Sequence, residues 1–298
     1  MKRDGFLGLL LIMIFCASLI GCGPKSPRQI AIAELENLGA RFQFDEQSPN
    51  KDVIAVFLNG PQVTDGAMTH LKAFTELRNL SLIGTEVTDA GITAVAGLSK
   101  LQELRLDQMQ LSDAGLAKLK PLTNLNLLWL NHTQVTGAGL SIVENLTNLR
   151  SLHLSFTQVD DAGLAQLAQL TKLEQLNLSS TNIGDVGLSH LRALTNLREL
   201  ELWGTKVTDA GLVHLSGMTK LERLELLKAS VGDQGIKHIA GLKQLRTLGI
   251  GGTQVSDDSV ATLGGFSNLI QLNAYNSQLT QQGIQSLKAA LPKCLIVD

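Results

Sequence analysis

The sequence predicts an α/β solenoid, a stack of similar units in which short parallel strands alternate with short helices. The first observation is a 24-residue unit that occurs ten times from Val53 to Pro292 without an insertion or deletion. The second is the apolar pattern of the unit. Positions 4 and 6 are apolar and lie two residues apart, and positions 16, 19 and 22 are apolar and lie three residues apart. These spacings mark one face of a strand and one face of a helix. One unit cannot bury both faces alone, so the units must stack around a continuous core.

The consensus of the unit is L-x-x-L-x-L-x-x-T-x-V-T-D-A-G-L-x-x-L-x-x-L, with apolar residues at positions 1, 4, 6, 11, 16, 19 and 22. We expect positions 4 and 6 to point from a strand into the core, and positions 16, 19 and 22 to form the buried face of a helix. Neighbouring strands lie about 4.8 Å apart, whereas packed helices need about 8–10 Å. The stack should therefore curve, with the strands on its concave face and the helices on its convex face.

The start of each helix is marked by a hydroxyl residue followed by an aspartate, as in Thr208-Asp209. The hydroxyl is expected to cap free backbone N–H groups, and the aspartate to lie at the positive end of the helix dipole. We do not expect the aspartate to bind a metal, because a repeated calcium site needs several converging oxygen ligands. The threonine at position 9 is expected to hydrogen-bond the backbone of the neighbouring turn. Met109 and Ala229 interrupt that row of threonines.

Both ends of the repeat region carry segments that do not fit the unit. Residues 28–52 are predicted to form an N-terminal cap, with a helix over Gln29–Leu38 and a strand over Arg41–Phe44. Residues 293–298 are predicted to form a C-terminal capping strand, at Leu295–Val297. Caps are expected because the first and last units would otherwise leave the core open to water.

The pattern L-x-x-L-x-L-x-x-T/N-x-L resembles the leucine-rich repeat family over about four-fifths of the chain. The version that continues V-T-D-A-G-L resembles the repeats of bacterial leucine-rich-repeat lipoproteins, especially those of planctomycete-type bacteria. It is also similar to the repeats of the eukaryotic F-box leucine-rich proteins. The resemblance implies a horseshoe-shaped solenoid and recognition of a partner, but it names no ligand.

The N-terminus resembles the signal peptide of a bacterial lipoprotein. Lys2 and Arg3 precede an apolar run from Phe6 to Ile20, which is shorter than the roughly 20 residues that a membrane-spanning helix needs. The run ends in Leu19-Ile20-Gly21-Cys22, which is similar to a lipobox. The resemblance implies removal of residues 1–21, acylation of Cys22 and a lipidated tether over residues 22–27. An ordinary cleaved signal with a chance cysteine is the alternative.

This resemblance also implies a location. An acylated Cys22 would anchor the chain in a lipid bilayer, since two or three acyl chains suffice for stable attachment. We therefore expect the bacterial cell envelope, in the outer membrane or on the periplasmic or cell-surface side. Gly23 in place of an aspartate slightly favours the outer membrane.

Composition and motifs narrow the functional class. Removing Lys2, Arg3 and Asp4 from 25 basic and 27 acidic residues leaves a net charge of about −3, which argues against nucleic-acid binding. Phosphate-binding, nucleophile-elbow and zinc-protease motifs do not occur, so we expect neither an enzyme nor a cofactor. Four histidines share position 18 on the helical side, one per repeat, and even those in neighbouring repeats are too far apart to hold one metal ion. Cys294 would be a buried terminal thiol or an intermolecular link.

The candidate binding residues lie at the variable strand positions, which should point to the concave surface. Both tryptophans and the single tyrosine of the chain fall there, although the core does not need them. Aromatic side chains are enriched in the residues that dominate interface affinity. A curved sheet that merely tolerates large residues is the alternative. The predicted partner-binding residues are Phe57, Arg105, Trp129, His132, His153, Phe156, Glu201, Trp203, Arg223, Glu225, Leu227 and Tyr275.

Two patches stand out among these residues. A central patch comprises Arg105, Trp129, His132, His153 and Phe156, and a second patch comprises Glu201, Trp203, Arg223, Glu225 and Leu227. The carboxylates of Glu201 and Glu225 should lie on adjacent strands. We interpret them as a solvated acidic patch rather than as a general acid and base.

The sequence thus predicts a membrane-anchored, non-enzymatic scaffold that binds a protein through its concave face. A peptide or a glycan is the alternative ligand. One alternative is a structural envelope protein that packs with copies of itself. Another is a substrate-recruiting subunit similar to the F-box leucine-rich proteins, although the lipobox and the lack of an F-box argue against it. An enzyme is the third, and it would need a converging set of side chains that the repeat positions do not supply.

Overall fold

The computed structural model describes residues 25–298, which form one sheet of twelve strands in the order of the chain. The first strand pairs with the second in antiparallel fashion, and every later neighbour is parallel. Leu80, Leu104 and Leu128 face one another across adjacent strands, so each unit stacks on the next in register. The strands are β1 (Arg41–Phe44), β2 (Val53–Phe57), β3 (Asn79–Ser81), β4 (Glu103–Arg105), β5 (Leu127–Trp129), β6 (Ser151–His153), β7 (Gln175–Asn177), β8 (Glu199–Glu201), β9 (Arg223–Glu225), β10 (Thr247–Gly249), β11 (Gln271–Asn273) and β12 (Leu295–Val297).

Helices follow the strands and, outside the two terminal ones, they are short. Over residues 25–298 the α-helices are α1 (Pro27–Asn37), α2 (Asp65–Met68), α3 (Asp89–Val95), α4 (Asp113–Ala117), α5 (Asp161–Leu164), α6 (Asp185–His190), α7 (Asp209–Leu212), α8 (Asp233–His238), α9 (Val260–Gly264) and α10 (Gln281–Ala290). The 3₁₀ segments are Thr69–Ala73, Ala138–Asn145, Ala165–Leu167, Val213–Leu215 and Asp257–Ser259. The α/β solenoid, with strands on the concave side and short helices on the other, is confirmed.

The core is a continuous column of aliphatic side chains between the sheet and the helices. Leu104 and Leu106, at positions 4 and 6 of their unit, are completely buried, as are Leu116 and Leu119 at positions 16 and 19. The predicted inward positions are therefore confirmed. Burial of each such leucine contributes about 2 kcal/mol. The repetition of these contacts from unit to unit holds the strands at fixed positions under the concave face.

The aspartate at position 13 links each unit to the next. The carboxylate of Asp113 accepts hydrogen bonds from the backbone N–H and the hydroxyl of Thr136, at 2.8 and 2.6 Å. The capping role of the hydroxyl is also confirmed, since the side chain of Thr208 accepts a hydrogen bond from the N–H of Ala210 at 3.3 Å. The aspartate was expected only to favour the helix dipole, but it also bonds the cap of the following unit.

Position 15 is glycine because this aspartate occupies the adjacent space. A Cβ built at Gly235 would lie 2.5 Å from Oδ1 of Asp209, in the preceding unit. In the unit that has Ser259 instead, the serine hydroxyl donates a hydrogen bond to Oδ1 of Asp233 at 2.5 Å. The D-A-G motif is therefore a contact between units, which the carboxylate and the glycine make together.

One junction between units lacks this carboxylate. Gly137 stands at position 13 of the fourth repeat, and Asp160 of the fifth repeat caps its own helix by accepting from the N–H of Gly163 at 3.0 Å. The backbones of Gly137 and Gly163 pack closely here. The helical side of the fourth repeat is the 3₁₀ segment Ala138–Asn145 rather than an α-helix.

The expectation for the threonine at position 9 is wrong. Its hydroxyl bonds within its own turn, as in Thr133, which donates to the carbonyl oxygen of Leu130 at 2.7 Å. Thr157 and Thr205 donate in the same way to Leu154 and Leu202. The backbone groups of adjacent turns bond one another directly, so the hydroxyl is free to close its own turn.

Position 8 adopts a left-handed backbone conformation in all ten repeats. Glycine reaches this conformation freely, whereas other residues lose about 1 kcal/mol in it. The glycines at this position are Gly60, Gly84, Gly204 and Gly252, and the other residues are Gln108, His132, Phe156, Ser180, Lys228 and Asn276. In the six repeats without glycine, the turn after the strand thus projects one side chain from the rim of the sheet, at a small energetic cost.

The ends of the sheet are covered by the elements that the sequence predicts there. Ser26 forms a capping box with Gln29 at the start of α1, and β12 pairs in parallel with β11. Cys294 is a free thiol within the described residues. It is partly buried and packs against the core, rather than buried as expected. Burial raises the pKa of this thiol.

The proposed signal peptide, the acylated Cys22 and most of the tether lie outside the described residues. Between residues 25 and 298, none of the helices combines the length and the apolar character needed to cross a bilayer.

Candidate functional site

A stack of three side chains lies across the middle of the concave face. Arg105, Trp129 and His153 occupy equivalent places on β4, β5 and β6. The guanidinium carbon of Arg105 lies 4.4 Å from the centre of the Trp129 ring. The rings of Trp129 and His153 stack at 4.7 Å with 16° between their planes. The register of the parallel sheet brings residues 24 positions apart into direct contact, as the central patch predicts.

The electrostatics of this stack favour a neutral imidazole. Burial lowers the pKa of His153, and Glu199 opposes that effect while Arg105 reinforces it. The indole Nε1 of Trp129 is buried and has no hydrogen-bond partner within the described residues. An unpaired buried donor is costly. The stack therefore holds Trp129 in place by its ring faces rather than by hydrogen bonding.

The predicted solvated acidic patch is wrong, because its carboxylates are mostly buried and share one arginine. Arg223 lies 3.6 Å from Glu201 and 3.0 Å from Glu225, between oxygen and nitrogen atoms. Only 8% of the surface of Glu225 is exposed to solvent. Burial raises the pKa of both glutamates, although Arg223 partly offsets the effect. Two carboxylates share one guanidinium, so this part of the face keeps a negative charge.

A glycine makes room for the buried glutamate. A Cβ at Gly249, which follows Glu225 on the next strand, would overlap Oε2 of Glu225. The absence of a side chain at this point lets the carboxylate lie flat against β10. Leu227 also approaches Gly249 and Gly251.

A second row of aromatic side chains follows the rim, at the turns that leave the strands. The rings of His132 and Phe156 stack at 4.2 Å with 11° between their planes. Phe156 then meets Trp203 edge to face at 5.5 Å, and the ammonium of Lys228 lies 5.6 Å from the centre of the Trp203 ring. His132 and Phe156 are thus on the rim rather than on the strands. Phe156 and Trp203 connect the two predicted patches.

Two predicted residues lie far from this centre. Phe57 is half-buried on β2, and Tyr275 is 60% exposed after β11. They are near opposite ends of the sheet, so they cannot contact a small ligand held at the centre. A partner that touches both would have to span nearly the whole concave face.

Several residues of the face were missed by the sequence prediction. Position 3 points to the same side as positions 5 and 7, which strand alternation indicates. It adds Glu103, 3.7 Å from Arg105, and Glu199, which accepts from Gln175 at 3.0 Å. Lys228 was also missed, because its place over Trp203 depends on the left-handed turn.

The arrangement is suited to binding rather than to a metal centre. Across the described residues, no group of three or more His, Cys, Asp or Glu side chains could hold a metal ion. The concave face instead offers stacked rings, the cations of Arg105 and Lys228 beside them, and a partly neutralised acidic region. Such a surface can bury apolar groups of a partner and orient its charges.

Comparisons with known proteins agree with this geometry. A family model described as a leucine-rich repeat region matches residues 69–294, about three quarters of the chain. A search of curated proteins gave no match.

Solved structures share the fold at low sequence identity. An internalin (inlF) from Listeria monocytogenes is 22% identical with a TM-score of 0.52, and the match covers 94% of this chain and 98% of that one. The internalin C2 of the same organism is 23% identical with a TM-score of 0.53, over 91% and 96% of the two chains. The ectodomain of the Arabidopsis receptor kinase HAESA, in complex with a peptide hormone, is 18% identical with a TM-score of 0.61, over 84% and 45%. At these identities the likeness establishes the fold alone.

Proposed function

The chain belongs to the leucine-rich repeat family, and from that premise we propose that it is a non-enzymatic scaffold that binds a protein partner on its concave face. The observation that carries the proposal is the stack of Arg105, Trp129 and His153 on adjacent strands. These side chains are not needed for the core, which lies on the other side of the sheet. Aromatic and arginine side chains dominate the affinity of protein interfaces.

The charge pattern gives the binding face a polarity. Arg105 lies at one side of the aromatic centre, and the pair formed by the half-buried Glu201 and the buried Glu225 lies four to five strands away. At about 4.8 Å per strand, the two charged regions are roughly 20 Å apart. A partner with complementary charges at this spacing would be held in one orientation.

Two solved structures of similar fold contain a bound ligand. The HAESA ectodomain holds a peptide hormone, and the GASSHO1/SCHENGEN3 ectodomain was crystallised with CASPARIAN STRIP INTEGRITY FACTOR 2. Those ligands belong to those receptors. They support a protein or peptide partner here, because this chain has the same fold.

The proposal includes an anchor in the bacterial cell envelope, through an acylated Cys22. Its support is the apolar run that ends in Leu19-Ile20-Gly21-Cys22, as in bacterial leucine-rich-repeat lipoproteins. The lipid would attach the protein to the membrane, and the concave face would bind the partner. Metabolic labelling with a radioactive fatty acid tests this part separately, with Cys22→Ala as the variant that should lose the label.

A crosslinking pull-down from envelope membranes tests the binding face. It compares the wild-type chain with the double variant Trp129→Ala/Trp203→Ala, after circular dichroism has established that the variant is folded. The control is Val186→Ala/Val213→Ala, which removes exposed apolar side chains from the helical side. We expect a partner that the wild type and the control capture and the tryptophan variant loses. Equal capture by all three chains would reject the concave face as the binding surface.

Capture of the chain itself would favour the structural alternative. If the wild type crosslinks mainly to its own copies, and the tryptophan variant does so equally, self-association replaces partner binding as the better account.

A further inference from the structure

A shallow pocket lies on the rim of the sheet, outside the concave face. It has a volume of about 500 Å³ and is formed by the turns that follow β4, β5 and β6. This volume is within the range of sites for small molecules. The pocket is separate from the stack of Arg105, Trp129 and His153, which lies on the strands themselves.

The lining of the pocket is rich in primary amides. Gln108, Gln110 and Gln134 are exposed around its edge. The lining includes no Asp, Glu, Lys or Arg side chain in this part of the described chain. Each amide offers two donors and an acceptor, so the three together can bond neighbouring hydroxyl groups of a ligand. A site of this kind favours a neutral polyhydroxylated molecule over a charged one.

One wall of the pocket is aromatic. Phe156 and His132 stack there at 4.2 Å, and Phe156 remains 42% exposed to solvent. Aromatic rings of this kind offer flat apolar faces beside polar groups. The C–H groups on one face of a sugar ring can pack on such a surface while its hydroxyls reach the amides.

The backbone at this wall is strained in a way that glycine would relieve. Phe156 and His132 have φ angles of 56° and 55°, although the same position is glycine in four repeats. Six repeats carry a side chain in this conformation, at the same cost, so the backbone alone does not mark the pocket. What distinguishes Phe156 and His132 from the other residues at this position is that their side chains are aromatic rings in contact with each other.

The floor of the pocket departs from the repeat. Met109 stands where most units have the threonine that closes its own turn, and it is 3% exposed. A thioether adapts its shape and packs well beside aromatic rings. The floor is therefore apolar, which matches the apolar face of a sugar better than a hydroxyl would.

We propose that this rim pocket binds a neutral saccharide, with one sugar ring on Phe156 and its hydroxyls hydrogen-bonded to Gln108, Gln110 and Gln134. The pocket shares His132 and Phe156 with the predicted partner-binding residues, but it does not include Arg105, Trp129 or His153, the stack that carries the proposed function. A peptide is disfavoured, because the pocket has no charged group and no unpaired strand edge to orient a peptide backbone.

The test is a titration of the purified full chain, in a detergent without a sugar headgroup, with maltotriose, cellotriose and chitotriose. Calorimetry measures the binding. The fluorescence of Trp203 provides a second signal, since its ring touches Phe156. We expect at least one trisaccharide to bind with a dissociation constant on the order of 1 mM.

The decisive variant is Phe156→Gly, with Ser180→Gly as the control at the same position of the next repeat. Ser180→Gly relieves a left-handed residue and should raise the Tm by about 2 °C. Phe156→Gly gains the same relief but loses the ring contacts with His132 and Trp203, so its Tm should lie below that of Ser180→Gly. Only Phe156→Gly should lose saccharide binding. Gln134→Leu, which removes one amide, should weaken binding about tenfold if one hydrogen bond is lost.

Two outcomes would overturn the proposal. One is that no trisaccharide binds the wild type in the millimolar range. The other is that Phe156→Gly binds as tightly as Ser180→Gly. Neither outcome decides the proposed function, because Arg105, Trp129 and His153, the stack that carries it, are unchanged in all three variants.

Discussion

The carboxylate of Asp185 accepts hydrogen bonds from both the backbone N–H and the hydroxyl of Thr208, 23 residues later, at 2.8 and 2.6 Å. The same hydroxyl accepts from the N–H of Ala210 and so caps the next helix. One acidic side chain thereby connects the helix start of one repeat with that of the following repeat. This relationship recurs along the convex side and accounts for the D-A-G motif.

Removal of this carboxylate should weaken the stack. We expect Asp185→Ala to lower the free energy of unfolding by about 2–3 kcal/mol, since hydrogen bonds to a charged group are lost and a cap is loosened. Urea denaturation monitored by circular dichroism measures the change. Gly211→Ala should also destabilise the chain, because its Cβ would overlap Oδ1 of Asp185.

The two changes should not add. Once Asp185 is alanine, the Cβ of Gly211→Ala has room, so the double variant should be more stable than the sum of the single effects predicts. The control is Gly217→Ala, whose Cβ meets nothing within 4 Å. Simple additivity in the double variant would show that the carboxylate and the glycine do not form one contact.

The junction at Gly137 can be converted to the form that the other repeats use. Gly137→Asp alone should destabilise the protein, because its Cβ would overlap Oδ1 of Asp160. The double change Gly137→Asp/Asp160→Thr restores the consensus cap and carboxylate. We expect it to be more stable than Gly137→Asp alone, because the overlap with Oδ1 of Asp160 is removed. It should not exceed the wild type, because the new Cβ would still lie 3.1 Å from the backbone of Gly163. A double variant weaker than Gly137→Asp would contradict this account.

The buried glutamate should make stability depend on pH. Burial raises the pKa of Glu225 above its usual 4.5, so its favourable contribution is present below that value and is lost as the pH rises through the raised pKa. The Tm of Glu225→Gln, compared with that of the wild type, should therefore become relatively higher as the pH rises from 4.5 toward neutrality.

Other groups titrate in the same pH range. Their contributions to the Tm are the same in the variant and the wild type, so they cancel when the two proteins are compared. The lowered pKa of His153 contributes stability above its usual 6.5, which is lost as the pH falls. Glu86→Gln, which removes an exposed carboxylate outside the acidic region, serves as the control for loss of a carboxylate. A constant difference in Tm between Glu225→Gln and the wild type at every pH would show that Glu225 keeps its ordinary pKa.

The left-handed turn should discriminate between glycine and other residues. Gly204 has a φ of 64°, so Gly204→Ala should lower the free energy of unfolding by about 1 kcal/mol. Thermal unfolding measures the difference, with Gly217→Ala as the control at a glycine for which no such angle is found. Equal Tm values for the two variants would mean that the turn tolerates alanine without strain.

Much of this protein follows from the sequence alone. The 24-residue period and its apolar positions determined a solenoid, the buried leucines and the outward direction of Trp129 and His153, because side-chain direction in a strand depends only on spacing. The helix starts followed as well, since the cap is a local interaction between Thr208 and Ala210. The terminal helix and strands could be predicted for the same local reasons.

Other features were decided only by the stacking of the repeats. The reach of Asp185 to Thr208, the burial of Glu225 over Gly249 and the contact of Phe156 with Trp203 join residues that are 23 to 47 positions apart. The left-handed turn at Phe156 and the turn closed by Thr133 depend on how each backbone leaves the sheet. A repeat pattern specifies which residues face one another. The distance and orientation at which they meet are set by the packing of adjacent units.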